Sequence, residues 1–185
     1  MQLGIQILSG TFIFLAYVPY LYSIFHGTTK PNRVSWFVWA ATGSIILLSY
    51  RELGGKAAIA IALLGAVCPV IIALISIVHG AGGTSVIDRL CIALIVITCL
   101  VWILTGSALY PYLFSLVIDF FAILPTFRKT YLHPESEHPL AWFLWLCGAV
   151  TSLFAATTWR STEILLPVYL IVIEVIELGL LFRKK

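Results

Sequence analysis

Long apolar runs, cut by short polar breaks, make up nearly the whole chain. Seven runs can be drawn, at about 3–25, 34–50, 57–79, 88–105, 108–128, 140–159 and 162–182. Each holds roughly 17–23 residues, and a helix needs about 20 to cross the hydrocarbon core. A helix satisfies its own backbone hydrogen bonds, which lipid cannot do. The pattern therefore predicts an all-α integral membrane protein of seven transmembrane helices. The breaks carry turn chemistry: Thr28-Thr29-Lys30-Pro31-Asn32, Gly54-Gly55, Gly80-Ala81-Gly82-Gly83, Gly106-Ser107, and the polar loop from His133-Pro134 to His138-Pro139. Glycine supplies unusual dihedrals and proline forbids helix continuation, so both punctuate loops.

One pattern recurs at a spacing of 106 residues. Trp36-Phe37-Val38-Trp39 returns as Trp142-Phe143-Leu144-Trp145, and Pro19 returns as Pro125. Leu3, Ser9, Phe14, Ala16, Leu64 and Leu74 return as Leu109, Ser115, Phe120, Ala122, Leu170 and Leu180, with no gap. Helices one to three thus match helices five to seven, and helix four is an unmatched linker. An offset of four crossings keeps both copies pointing the same way, a parallel repeat about an axis along the membrane normal. The organisation expected is a first three-helix bundle over 1–79, a linker with helix four over 80–106, and a second bundle over 107–185.

Composition agrees with a membrane setting: 61% hydrophobic, 10% charged, mean hydropathy +1.06. The first basic residue is Lys30, whereas a signal peptide opens on a basic segment. The first run is therefore read as a retained spanning helix. So little chain lies outside the runs that no soluble catalytic domain fits, and no enzyme is expected. Charge sets the orientation. One side carries Arg51, Lys56 and Arg160. The other carries Lys30, Arg33, Arg89, Arg128, Lys129, Arg183, Lys184 and Lys185. The positive-inside rule puts the richer side in the cytoplasm, giving an N-out, C-in topology. The same asymmetry accounts for the net charge of +3 without nucleic acid as a partner, and the Arg183-Lys184-Lys185 tail reads as a topology anchor.

This 3+1+3 plan resembles the SWEET and PQ-loop (MtN3-like) transporter superfamily. Its marks are Pro19-Tyr20-Leu21 and Pro125-Thr126-Phe127, each followed by a polar loop and an aromatic helix start. Those starts are Lys30-Pro31-Asn32-Arg33-Val34-Ser35-Trp36 and His138-Pro139-Leu140-Ala141-Trp142. The family pattern has Pro-Gln where this chain has Pro-Tyr and Pro-Thr. Nicotinamide riboside transporters share the plan and are also Trp-rich, but are longer. The resemblance is to small bacterial seven-helix members of unassigned substrate and implies a bacterial plasma (inner) membrane. It implies a secondary transporter or facilitator of a small polar solute (sugar, nucleoside or vitamin, or amino-acid-like) working by alternating access. The same fold also serves receptors for peptide tails, so a receptor or accessory subunit without flux is the alternative.

Several side chains are candidates for that work. A proline inside a helix removes a backbone bond and kinks it, so Pro19 and Pro125 read as paired inner hinges or as static kinks. Pro167 and Pro111 are expected in the first turn of their helices, where proline is tolerated. Each Trp pair, Trp36 with Trp39 and Trp142 with Trp145, lies on one helix face. It is either an aromatic belt at headgroup depth or, with Tyr17, a wall or gate of a pathway that stacks on solutes. Trp102 and Trp159 read as belt residues.

Asp119, Glu174 and Glu177 are the ionisable groups expected well inside the hydrocarbon. Counting from Ala108 and Thr162, Asp119 and Glu174 fall about 11 and 12 residues into their helices. At a rise of ~1.5 Å per residue, both lie roughly 16–18 Å from the outer boundary, near the midplane. Glu177 shares a face with Glu174 about a turn deeper. An Asp at a helix centre costs about 2.5–3.5 kcal/mol on insertion, so such groups face a bundle interior or water. With no Lys or Arg at that depth, they should be protonated, hydrogen-bonded, or matched to a proton or cation from outside. Their mates in the first copy are Ile13, Cys68 and Ile71, so the expected pathway is chemically lopsided.

Other features are weaker. His133, Glu135, Glu137 and His138 share one loop and could ligate zinc, but a short Pro-rich loop reads more simply as solvated, and no metal or other cofactor is expected. Cys68, Cys91, Cys99 and Cys147 match no metal or redox spacing. Ala58, Ala62 and Ala66, with Gly65 beside them, allow close helix contact. The simplest place is within the bundle; a homo-oligomer seam is the alternative. The partners expected are the lipid bilayer and a small-molecule substrate.

Overall fold

The polar breaks fall where helices stop. In this computed structural model the helices are α1 (Gln2–Phe25), α2 (Arg33–Glu52), α3 (Ile59–His79), α4 (Val86–Thr105), α5 (Leu109–Leu132), α6 (Pro139–Phe154) and α7 (Ser161–Leu181), with a 3-10 turn at Pro134–Ser136. The structure describes residues 1–82 and 86–183, apart from the side chains of 87, 88 and 161. Gly83 of the third break, and Lys184 and Lys185 of the basic tail, lie outside the described residues. No strand occurs among the described residues. Among the described residues, four helices are long and apolar enough to cross a membrane: α1, α3, α5 and α7. They suggest a membrane protein, and the surface agrees. Phe14, Val18, Leu74, Ile103 and Phe143 are exposed, while Ser9, Thr42, Ser49, Ser115 and Ser152 are buried.

Local chemistry fixes the helix starts. Asn32 caps α2, its side chain accepting from the Ser35 N–H at 3.1 Å, which satisfies one of the orphan donors of the first turn. His138 takes the same place before α6, and Pro139 enters at the first turn, where its missing N–H costs nothing. The two aromatic helices therefore begin at equivalent positions of the repeat, Arg33 and Pro139.

The helix ends correct three expectations. α5 continues to Leu132 rather than stopping at 128, because Arg128 and Lys129 are good helix formers. α6 stops at Phe154, short of 159, where Ala155 N–H bonds back to Ser152 O and tightens the last turn; Thr157 and Thr158 then disfavour helix. Trp159 consequently sits in the connection, fully outward. At 16 residues, α6 is about 24 Å long, shorter than a ~30 Å hydrocarbon core. α7 starts at Ser161, so Pro167 stands in its second turn, inside the helix rather than in its first turn.

Helix packing follows the repeat. α2 packs on α3 as α6 packs on α7; α1 meets α3 as α5 meets α7. Across the halves, α1 packs on α6 and α5 packs on α2. A shift by 106 residues converts each contact into its partner. α4 leans on α5 and α2. Two glycines permit the closest crossings. A Cβ on Gly43 would lie 2.1 Å from the Gly65 carbonyl oxygen, and one on Gly148 would lie 2.5 Å from Ile13 Cδ1. The small-residue stripe Ala58, Ala62 and Ala66 is buried inside the chain.

Candidate functional site

α1 carries Tyr17 and Tyr20 on its inward face, both buried. Their rings meet tryptophans from both halves. Tyr17 lies 6.5 Å from Trp36 and 5.3 Å from Trp145; Tyr20 lies 5.2 Å and 5.5 Å from the same two rings. Within each pair the indoles are edge-to-face, at 4.9 Å for Trp36 and Trp39 and 5.0 Å for Trp142 and Trp145. Trp36 and Trp145 approach to 6.4 Å across the halves. Such geometry suits the ring quadrupoles. Trp36, Trp142 and Trp145 are buried and Trp39 partly so. Rings turned inward cannot serve as a lipid-facing belt.

Beside this cluster lies a cavity of about 140 Å³. Residues of α1, α2, α3, α5, α6 and α7 line it, and among the described residues α4 contributes none. Tyr17, both Trp pairs, Asp119 and Glu174 are all on its wall. The volume compares with cavities of ~150 Å³ that admit one six-membered ring.

The acids differ in how they are held. Asp119 on α5 accepts from the Tyr169 hydroxyl on α7 at 2.7 Å. Its other oxygen is 3.4 Å from the Thr42 hydroxyl on α2, which also reaches Val38 O at 3.0 Å. Glu174 is 7% exposed, and its Oε2 has no hydrogen-bond partner. Glu177 does not line the cavity. It is wholly buried and accepts from Thr130 on α5, one turn beyond Glu174 and turned aside from it.

Repeat equivalence explains why the acids are one-sided. Asp119 and Thr42 are the mates of Ile13 and Gly148. The same helix crossing, α5 on α2 and α1 on α6, is made by a carboxylate and a hydroxyl in one place and by an isoleucine on a glycine in the other. Neighbouring contacts of these crossings carry hydroxyls too: Ser35 donates to Ala122 O at 2.7 Å, and Ser9 donates to Gly148 O at 2.9 Å.

Two further buried carboxylates lie at the ends of the molecule. Glu137, 4% exposed, accepts from Lys129 and, at 3.2 Å, from the Trp142 indole N–H. Lys129 also donates to Lys30 O at 2.8 Å. The α1–α2 connection, the end of α5 and the start of α6 are thus joined. Glu137 is therefore an anchor rather than a solvated loop residue, and among the described residues no three His, Cys, Asp or Glu side chains converge as a metal would require. At the opposite end, Glu163 accepts from the backbone N–H groups of Lys56 and Ala57, both at 3.0 Å. It holds the start of α3 against the start of α7.

No family model, curated protein or solved structure matches this chain. The chemistry of the cavity must be read from its own residues. Of those singled out in the sequence, the cavity gathers Tyr17, Trp36, Trp39, Trp142, Trp145, Asp119 and Glu174. Pro19 and Pro125 lie inside α1 and α5, off the cavity wall. Sequence reading missed Tyr20, Thr42 and Tyr169. The signal for Thr42 was present: it stands where the other copy has Gly148, opposite an Asp that replaces Ile13.

Proposed function

We propose that this chain is a secondary transporter or facilitator of a small polar solute, working by alternating access. In this reading, α1–α3 and α5–α7 are two three-helix bundles joined by α4, with the N-terminus outside and the C-terminus in the cytoplasm of a bacterial inner membrane. The observation that carries it is the cavity: helices of both halves line it, each half supplies one Trp pair, and among the described residues the linker helix supplies nothing. A solute site at the interface of two repeats is what rocking bundles need. The packing between the halves obeys the repeat, since each α1-type helix packs on the α2-type helix of the other half.

Pro19 and Pro125 would bend α1 and α5 as inner hinges. The ties among Lys30, Lys129, Glu137 and Trp142 would hold the cytoplasmic side, and Glu163 with the α3 start would hold the outer side. A receptor for peptide carboxylates would need a basic cavity, and the charged groups on this wall are acidic. The test is uptake into proteoliposomes across a panel of small polar solutes, with and without a pH gradient. Saturable uptake, lost in Glu174→Gln at unchanged expression, is expected. High-affinity binding without flux would replace transport with a receptor role.

A further inference from the structure

The ligand's charge is the property the cavity constrains most. We propose that the cavity binds a small organic cation: a quaternary or protonated nitrogen on a body about the size of one six-membered ring. The inference rests on reading this cavity as the substrate site, and it names the class of solute.

Glu174 supplies the first argument. Glu137, Glu163 and Glu177 each accept from a donor within the protein. Glu177 also leaves its second oxygen unpaired, but off the cavity; Glu174, as deeply buried as Glu163, keeps Oε2 without a donor on the cavity wall itself. A buried charged group without a partner is costly, so its partner should come from the cavity.

The second argument is the absence of a counter-charge. Asp119 faces the same space, and among the described residues no Lys, Arg or His lines it. An anionic solute would add to two carboxylates, and a neutral one would leave them to take up protons instead of a counter-charge. A cation offsets them where the surroundings screen charge poorly.

The third argument is the rest of the wall. Tyr17 and the two Trp pairs put π-rich rings beside those acids, and indole faces attract cations most strongly among side chains. A bare metal ion would instead require converging oxygen ligands, which an apolar, aromatic wall does not supply. The volume of about 140 Å³ admits a compact organic body rather than an ion alone.

The test uses the full chain in lipid nanodiscs and isothermal titration calorimetry. The probes are choline, N-methylpyridinium, and 3,3-dimethylbutan-1-ol, in which carbon replaces the choline nitrogen. At least one cation should bind at least about ten-fold more tightly than the neutral isostere, a difference of ~1.4 kcal/mol or more. Glu174→Gln should abolish that preference while the protein keeps its circular dichroism. Failure of both cations to bind more tightly than the neutral isostere, or no binding of either cation, would overturn the proposal without reference to any variant. Uptake into proteoliposomes separates the two levels. Cation binding without flux keeps the inference and removes transport. Saturable flux of neutral solutes, with no preference for cations, keeps transport and removes the inference.

Discussion

The hydroxyl of Tyr169 donates a 2.7 Å hydrogen bond to Asp119, joining α7 to α5 at the cavity wall. Hydrogen bonds between helices within a membrane average about 0.6 kcal/mol and reach about 1.7. Tyr169→Phe should therefore cost about 1 kcal/mol in thermal unfolding of the detergent-solubilised protein. Its effect on solute affinity should be larger, because Asp119 keeps only the long contact to Thr42. Affinity unchanged at reduced stability would assign the pair to packing alone.

Glu163 should act on stability and leave solute preference untouched. Its two oxygens hold the N–H groups of Lys56 and Ala57, and hydrogen bonds to a charged group contribute about 1.5–3 kcal/mol. Glu163→Ala should lower the melting temperature markedly, with the ranking of solutes in a binding panel preserved. A change in that ranking would tie this end of the molecule to selectivity.

At the other end, Lys129→Met would leave Glu137 buried without its cationic partner, with uncharged donors such as the Trp142 indole N–H remaining. The expected loss is about 3 kcal/mol, the lower end for a broken buried pair because Lys129 retains some contact with water. Adding Glu137→Gln should restore part of it. A thermal double-mutant cycle measures that coupling, and additive losses would show that the two groups act separately.

The crossing of α2 on α3 gives a steric test. A methyl on Gly43 meets the Gly65 carbonyl, which is backbone and cannot step aside. Gly43→Ala should destabilise by about 1–3 kcal/mol as overpacking does. Gly179→Ala, with nothing within 4 Å of the added atom, should be neutral. Comparable yields and melting temperatures for the two variants would contradict the close approach.

The sequence made the helices legible because apolar length and turn residues act locally. It also carried the register of the repeat: α2 and α6 start at equivalent residues. Rotation of α7 was not legible, since that helix is apolar nearly all round, and so Glu177 was grouped with Glu174 although only Glu174 reaches the cavity. The burial of Glu137 escaped notice for another reason. Its loop is polar and Pro-rich, and its burial depends on Lys129 arriving from an α5 that runs a turn longer than the hydropathy suggests. The inward turn of the tryptophans likewise depends on α1 threading between helices of both halves, a long-range fact that no local window contains.

Because Asp119 and Thr42 occupy the crossing that Ile13 and Gly148 occupy on the other side, covalent fusion of the halves has a chemical result. Two identical copies around a symmetry axis must place every carboxylate twice, so acids near the axis come in even numbers and repel. A single chain is free of that parity. It can set an acid on one wall and leave the opposite wall greasy, so that a polar guest enters with a preferred head and tail.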